Sequence, residues 1–520
     1  MKKLPIGIQT FSELIREDYV YVDKTQTIHK LITAGKFYFL ARPRRFGKSL
    51  LVSTIAEIFR ANKELFSGLA INSLPYEWKK YPVVMISFAD IAHRTPELLE
   101  QGIKLYLHGI GKQYGIDLSQ NLLPSEMLRA LVIELSSQGP VILLIDEYDY
   151  PILRHIHETA AAEKMREVLK DFYIVIKGLD SYLKFVFLTG VSKFSKTSIF
   201  SGLNNLQDIS LDNEYNTLLG YTKEEIITHF EPHLTKIAKN KQYSVDQLLE
   251  EIKIWYDGYR FADEGHITKI YNPYSVLLFL SKEKFRSYWF ETGTPSFLIN
   301  LLKTKNYPVQ DFEQIEATEG ELSSFEIDEI SLKTLLFQTG YLTIHDYNPQ
   351  TRNYLLGYPN KECVDSLVEH IFASMTQKSG TILNNVVAAL KTAFDQQNFD
   401  MLHKTLTNLF AAIPYTIQIG QEKYYQTIFY LVLKMIGADI VVEQATNIGR
   451  IDAIIQTKDC CFIIEFKINA SAQKALEQIE NKKYFQPYEA LGKKIILVGI
   501  AFDTQIKNVS EIKYKNLVQN

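Results

Sequence analysis

The stretch Arg42-Pro43-Arg44-Arg45-Phe46-Gly47-Lys48-Ser49 puts a lysine and a hydroxyl directly behind a glycine, just after a short apolar run. That order can wrap a phosphate. Backbone N–H groups at a helix N-terminus point at the anion, the lysine reaches the terminal phosphates, and the hydroxyl binds Mg2+. Lys48 would then contact the β- and γ-phosphates of ATP and Ser49 would ligate Mg2+, with Arg45, Phe46 and Gly47 completing the turn. Further along, Val141-Ile142-Leu143-Leu144-Ile145 runs straight into Asp146-Glu147. An apolar strand ending in two acids supplies the other half of the chemistry. Asp146 would hold Mg2+ through water, and Glu147 would polarise the attacking water. Thr189 closes the apolar run Phe185–Thr189 and is placed to sense the γ-phosphate, with Ser192 close behind. Lys193 and Lys196 are candidate charge-stabilising groups, and no arginine stands out for that role.

The first glycine of the usual G-x-x-x-x-G-K-[ST] pattern is replaced by Arg42, and Pro43 has no N–H to give. The outer loop must therefore be built differently. A basic turn, with Arg42, Arg44, Arg45 and Lys48 on solvent or nucleic acid, would explain the first motif alone. A buried strand that ends at an acidic surface would explain the second alone. Both together, each behind an apolar strand, favour a nucleotide site.

A second set of chemical groups lies near the C-terminus. Gly449-Arg450-Ile451-Asp452 opens one strand-like run, and Cys461-Phe462-Ile463-Ile464-Glu465-Phe466-Lys467 forms the next. Glu465 and Lys467 are two apart and share a strand face. A turn at Thr457-Lys458-Asp459 would pair the strands and bring Asp452 close to Glu465. Two carboxylates can hold a divalent cation while Lys467 positions or activates water beside a scissile phosphate. Gln478 and Tyr484 are expected on the helix that covers this sheet. The competing reading is a charged hairpin face in which Lys467 and Glu465 neutralise each other. Residues 415–520 hold 13 Lys+Arg against 11 Asp+Glu. No strong basic field accompanies the site, which argues against tight DNA binding on charge alone.

These groups need rigid elements behind them. Phe37–Ala41, Val83–Phe88, Val141–Ile145 and Phe185–Thr189 are short apolar runs separated by helical stretches such as Ser49–Ala61, the pattern of a mostly parallel α/β sheet. After about residue 220 helical periodicity dominates, as in Lys223–Phe230 and Val245–Trp255. Ile330–Phe337 then precedes two alternating segments, Tyr341–Tyr347 and Asn353–Tyr358, joined by the turn cluster Asn348-Pro349-Gln350-Thr351. Helix plus two-stranded wing is a winged-helix outline, and a plain hairpin fits equally well. Residues 364–412 read as helical. A helix Tyr424–Ile436, three strand-like runs, another helix and a last strand Lys494–Ala501 complete the chain.

At 520 residues, with 46% hydrophobic and 22% charged residues, the chain is globular and too long for one ordinary domain. A net charge of -3 excludes a wholesale basic nucleic-acid coat. The three cysteines, Cys363, Cys460 and Cys461, form no ligand pattern and no disulfide framework. No run approaches the ~18 apolar residues of a membrane span. A soluble, cytoplasmic protein with no membrane partner is expected. His155 and His157 have no acidic or cysteine partner at ligand spacing. The aromatic clusters Trp255-Tyr256-Asp257-Gly258-Tyr259 and Tyr288-Trp289-Phe290 are read as core rather than as base-stacking platforms.

Together these residues resemble the bacterial AAA-ATPase-like proteins that carry a C-terminal PD-(D/E)xK nuclease-superfamily domain. The carriers are Tyr21-Val22-Asp23-Lys24-Thr25, the Arg42–Ser49 segment, Leu144-Ile145-Asp146-Glu147-Tyr148-Asp149, Thr189-Gly190-Val191-Ser192-Lys193-Phe194-Ser195, Trp255–Tyr259, and Gly449–Asp452 with Glu465-Phe466-Lys467. The Arg-Pro-Arg-Arg form of the phosphate loop is itself a hallmark of that family. The resemblance implies a P-loop, AAA-like ATPase core over 1–220, a helical lid over 221–327 and a restriction-endonuclease-like α/β domain over 415–520. Residues 328–414 would hold the hairpin and a helical connector. It further implies an additional acid from the first helix of the nuclease domain, where Glu422 stands, with Glu443 as a rival. The expected function is ATP binding and hydrolysis fused to Mg2+-dependent cutting of DNA or RNA. The alternative is a nucleotide-dependent signalling switch whose C-terminal domain binds nucleic acid or protein without cutting. A homo-oligomer is left open.

Overall fold

Strands that are apolar at every position need cover on both faces, and helices supply it. A computed structural model describes residues 1–156, 158–194, 199–200, 203–263, 268–289, 314–323, 331–376, 380–413, 422–436, 439–446 and 449–517. Those residues fall into two compact units, one of 1–289 with 314–362 and the other of 363–517.

The first unit is built on β1 (Phe37–Ala41), β2 (Val83–Ser87), β3 (Val141–Asp146), β4 (Leu183–Gly190) and the two-residue β5 (Gln207–Asp208). They pair in the order β2-β3-β4-β1-β5, all parallel. Side chains alternate between two buried faces. Phe39, Leu143, Ile145 and Val186 meet helices Pro96–Gln113, Pro124–Leu135 and Thr159–Tyr173 in one core. Tyr38 and Phe185 face the other way, where Phe59 of helix Lys48–Phe59 packs 5.4 Å from Phe185. Burying each such side chain contributes roughly 1.5–3 kcal/mol, and the sheet repeats that gain along every strand.

Register then fixes the functional geometry. Leu40 pairs with Thr189 and Ile145 with Leu188, so Thr189 stands level with Leu40 and Asp146. The loop after β1 and the acids after β3 are two strand spacings apart, about 10 Å. The end of β4 lies between them.

Helices Lys223–Lys241, Val245–Tyr256 and Pro273–Lys282 form a separate core with Val20 and Val22 of the N-terminal segment. Helix Lys223–Lys241 starts at a capping box of Thr222 and Glu225, and Glu225 also pairs with Lys24 at 2.6 Å. Asp23 accepts the amide and hydroxyl of Thr25 and the amide of Ala70. The Asp23-Lys24-Thr25 motif is a staple that ties the N-terminal segment to its neighbours. Gly258 has φ +107, and a Cβ there would collide with the carbonyl of Pro359. Tyr256 and Tyr259 are buried, as their reading as core required.

Helix Leu332–Thr339 precedes β7 (Thr343–Asn348) and β8 (Asn353–Gly357), so the hairpin forms on either side of the turn cluster. A strand not foreseen, β6 (Ile315–Thr318), extends it to an antiparallel sheet of order β6-β8-β7. Four residues are too few for alternation to stand out.

The second unit carries β9 (Asp439–Thr446), β10 (Gly449–Gln456), β11 (Cys460–Ile468), β12 (Lys494–Asp503) and β13 (Asn508–Asn516) in the order β13-β12-β11-β10-β9. Only β11 and β12 are parallel, joined by helix Ala472–Asn481. That helix lies close to β12 because Gly499 has no side chain: a Cβ would sit 3.1 Å from that of Ala475 and collide with the carbonyl of Ala472. Helices Gly380–Asp395 and Phe399–Ala411 also belong here. The sequence reading missed β13, whose largely exposed side chains give it no apolar signature. Among the described residues no helix is long and apolar enough to cross a membrane.

Candidate functional site

The arginine in place of a glycine is explained first. Arg42 points inward, 1% exposed, and donates to the carbonyls of Ala41 (3.0 Å), Ser210 (2.5 Å) and Tyr215 (3.3 Å). Its guanidinium lies 4.3 Å from the centre of the Phe261 ring. Burial pushes its pKa down to about 9, against the nearby charge of Asp208. The idea of a solvent-facing basic turn fails at this residue, because the carbonyls to be satisfied lie behind the loop.

Phe46 is also buried, edge-on to Tyr259 at 4.9 Å and to Phe261 at 5.6 Å. Its place in the site is therefore that of an anchor, with only its backbone left for a phosphate. Arg45 and Gly47 both take left-handed backbone angles, φ 67 and 96, and the Arg45 guanidinium stacks over Tyr274 at 4.6 Å. Lys48 donates to the carbonyls of Arg42 and Pro43, each at 2.9 Å. Pro43 cannot offer an N–H, yet its carbonyl holds the lysine. Burial lowers the Lys48 pKa, and the carboxylates of Glu147, Asp146 and Asp149 pull it back up.

Burial raises the pKa of Asp146, opposed by a hydrogen bond from Ser49 and by the charge of Lys48. Ser49 and Asp146 are thus already together. Two oxygen donors of this kind, with room for phosphate and water, suit Mg2+. Burial raises Glu147 too, with Lys48 opposing. Its backbone is left-handed at φ 51, a conformation that costs a non-glycine residue roughly 1–2 kcal/mol. The buried carboxylate of Asp149 accepts the amides of Val191 (3.1 Å) and Ser192 (2.6 Å), locking the corner after β3 to the loop after β4. Gly190 is obligatory between them, since a Cβ would lie 2.6 Å from the Tyr148 ring and collide with Asp149. Thr189 is fully buried, and its hydroxyl and that of Ser192 have no hydrogen-bond partner among the described residues.

Arg44, Gly47, Lys48, Ser49 and Glu147 line one cleft of about 360 Å³. Pro5, Gly7 and Ile8 with Tyr221, Pro273, Tyr274 and Leu277 also form its wall. Charged groups and flat apolar ones in one cleft suit a triphosphate with a base attached. Sequence reasoning missed that wall, because its members are far apart in the chain and of ordinary type. It also missed Asp149, which only its place behind Asp146-Glu147-Tyr148 could have flagged. Lys193 is drawn into a 2.6 Å ion pair with Asp208, away from a charge-stabilising role; Lys196 and His157 lie outside the described residues. His155 bonds the carbonyl of His93.

In the second unit β10 and β11 pair antiparallel around a turn in which Thr457 and Cys460 exchange hydrogen bonds. Ala453 faces Ile464, and the same register sets Asp452 across from Glu465. Asp452 accepts the amide of Phe466 at 2.8 Å. One oxygen of Glu465 takes Lys467 at 3.2 Å and the amide of Gln478. The other, Oε2, is buried with no partner among the described residues. Burial first, then the charge of Asp452, push the Glu465 carboxyl up to about 7, and Lys467 only partly offsets them. A bare buried carboxylate oxygen beside a second carboxylate fits a hard divalent cation with water completing its shell.

Gln478 lies on the covering helix as expected. Tyr484 does not: it falls past the helix end at Asn481 and packs in the core with Leu476 and Ile479. Glu422 begins helix Glu422–Ile436 and Glu443 lies on β9, but their side chains are outside the described residues. The three cysteines are buried thiols.

Residues 5–200 match the family described as predicted AAA-ATPase, and residues 420–512 match the PD-(D/E)XK nuclease superfamily. A protein of Azotobacter chroococcum mcd 1, described as an uncharacterized protein in the vnfD 5′ region, is 39% identical over 534 residues, covering 98% of each chain.

Proposed function

The chain belongs to the AAA-ATPase-like proteins with a C-terminal PD-(D/E)XK nuclease-superfamily domain, and from that premise we propose that it hydrolyses ATP in its first unit and cuts nucleic acid in its second. The observation that carries the reading is the convergence of Lys48, Ser49 and Glu147 on one cleft. In this reading Lys48 exchanges the carbonyls of Arg42 and Pro43 for the β- and γ-phosphates. Glu147 orients the attacking water and takes its proton, and its raised pKa suits a base that must accept one. Thr189, with its unpartnered hydroxyl level with Asp146, donates to the γ-phosphate. Mg2+ beside Ser49 and Asp146 would offset the phosphate charge.

In the second unit Asp452 and Glu465 would hold Mg2+, which supplies charge stabilisation at the scissile phosphate. Lys467 is the more exposed partner, at 29% of its side-chain surface against 3% for Glu465, and can turn from Glu465 toward a substrate phosphate or water. Gln478 keeps Glu465 oriented. The buried thiols of the three cysteines support a reducing, cytoplasmic setting. The competing reading, a switch that binds without cutting, draws its support from the Lys467–Glu465 ion pair, which partly offsets the carboxylate when no cation is bound.

Two assays on the full chain test the proposal. ATP turnover should require Lys48 and Glu147. Cleavage of single- and double-stranded DNA and RNA should require a divalent cation and Lys467. Turnover without any cleavage, with nucleic acid still bound, would establish the switch instead.

A further inference from the structure

The end of helix Leu332–Thr339 touches both loops that flank the γ-phosphate position, and no motif assigns it a role. Gln338 is 5% exposed, and its side-chain oxygen accepts the Lys193 amide at 2.9 Å. Its side-chain nitrogen is buried with no partner among the described residues. Lys193 closes the segment Thr189-Gly190-Val191-Ser192, which Asp149 holds from the other side. Two residues after Gln338, Gly340 ends the helix at φ +91. A Cβ on Gly340 would lie 2.8 and 2.9 Å from the Pro43 ring and 3.3 Å from Trp289. The indole N–H of Trp289 in turn donates to the Arg44 carbonyl at 3.1 Å.

A closed circuit results. It runs from the corner after β3 through Asp149 to the loop after β4, through Gln338 to the helix end, and through Gly340 and Trp289 to Pro43 and Arg44. We propose that Gln338 and Gly340 form a clamp that sets the spacing of the two phosphate-flanking loops, with Gln338 a positioning residue for hydrolysis and Gly340 one for nucleotide binding. The proposal rests on the ATPase reading above. The physical basis is division of labour. Pro43 and Arg44 belong to the turn that would hold phosphates in ATP and ADP alike, so moving them changes ground-state binding. In the ATPase reading the Thr189 segment serves only the reacting phosphate, so moving it changes the transition state. A buried, half-satisfied carboxamide is costly to keep for packing alone, since one of its donors is left unpaired.

The test is a kinetic split between two neighbouring residues in the full chain. Gln338→Met keeps the volume and removes both polar atoms. It should lower kcat for ATP about tenfold with KM within twofold, and should leave the thermal midpoint unchanged or higher. Gly340→Ala should instead raise KM for ATP and Kd for ADP about tenfold together, with kcat little changed. Because Gly340→Ala also strains its own backbone, the double variant Gly340→Ala with Pro43→Gly separates the causes. Removing the ring should recover at least a third of the lost ADP affinity if contact with Pro43 is the reason. The clamp is overturned if Gln338→Met leaves kcat within twofold of wild type, if both variants move kcat and KM in parallel, or if Pro43→Gly gives no recovery. A wild-type chain that does not turn ATP over overturns the ATPase reading and the clamp with it, whereas wild-type turnover with an unmoved Gln338→Met sinks the clamp alone.

Discussion

The two candidate sites solve the problem of a buried charge in opposite ways. Lys48 is buried among three carboxylates and two carbonyl oxygens, so its charge is matched before any ligand arrives. Glu465 has a second carboxylate beside it and one half-exposed lysine, and it meets burial by keeping a proton to about 7. The first site is assembled from strand ends and loops scattered between Pro5 and Leu277; the second comes from a single hairpin and the helix after it. A site with its own counter-charge can be held rigid while empty. A carboxylate with one oxygen left without a partner among the described residues is held open for a cation.

The contrast can be broken at several points. The largest expected effects are catalytic. Lys48→Ala should abolish ATP binding, while Glu147→Gln should retain binding and lower turnover at least about a hundredfold, the usual scale for losing a group that acts only in the transition state. Wild-type turnover by Glu147→Gln would remove Glu147 from the mechanism. Lys467→Ala should stop cleavage and leave basal ATP hydrolysis intact, since Lys467 lies in the other unit.

Next in size is stability. Arg42→Gly restores the glycine of the usual phosphate loop, yet it should destabilise the fold by about 3–5 kcal/mol, because it orphans the buried carbonyls of Ser210 and Tyr215 and empties the space over Phe261. Urea unfolding decides this: an unchanged or raised midpoint would mean that the arginine is not structural.

The pH dependence of Glu465 comes third. Its folded pKa is raised, so the folded state binds the extra proton, and its contribution is complete below the ordinary carboxyl pKa near 4.5. That contribution is lost as pH rises through about 7, amounting to roughly 3 kcal/mol without a divalent cation. The difference in stability between wild type and Glu465→Gln should therefore change across that window, and Mg2+ should flatten the wild-type profile. A difference independent of pH from 4 to 8 would show that the carboxyl is ionised throughout.

The smallest expected effect joins the sites. ATP with Mg2+ should change cleavage or nucleic-acid affinity several-fold, about 1 kcal/mol, and Lys48→Ala should erase the change. Cleavage indifferent to ATP, ADP and Lys48→Ala would mean two independent modules.

Much of this was legible from the residues because the signals are local. Val141–Ile145 is apolar at every position and ends in acids, and Gly47-Lys48-Ser49 stands between a strand and a helix; both patterns survive intact in the sheet. The Asp452–Glu465 juxtaposition needs only strand periodicity and one turn. What stayed hidden depends on distant partners. Arg42 looks like a surface charge until Ser210, Tyr215 and Phe261 are placed around it, and nothing in the spacing of Gln338 announces Lys193. Tyr484, expected on the covering helix, lies beyond it, because the helix stops at Asn481 and the chain turns at Lys483 with φ 46.

The anchoring of Phe46 and Arg42 by Tyr259 and Phe261 bears on the order of events at the ribosome. A nascent chain that has emerged through residue 220 contains every residue of both phosphate motifs, yet lacks Tyr259, Phe261, Trp289 and Gly340. Arg42 can already reach the carbonyls of Ser210 and Tyr215, but the aromatic support behind the phosphate loop is missing. The packing behind that loop is therefore completed only when Tyr259, Phe261, Trp289 and finally Gly340 have emerged, about 120 further residues of synthesis.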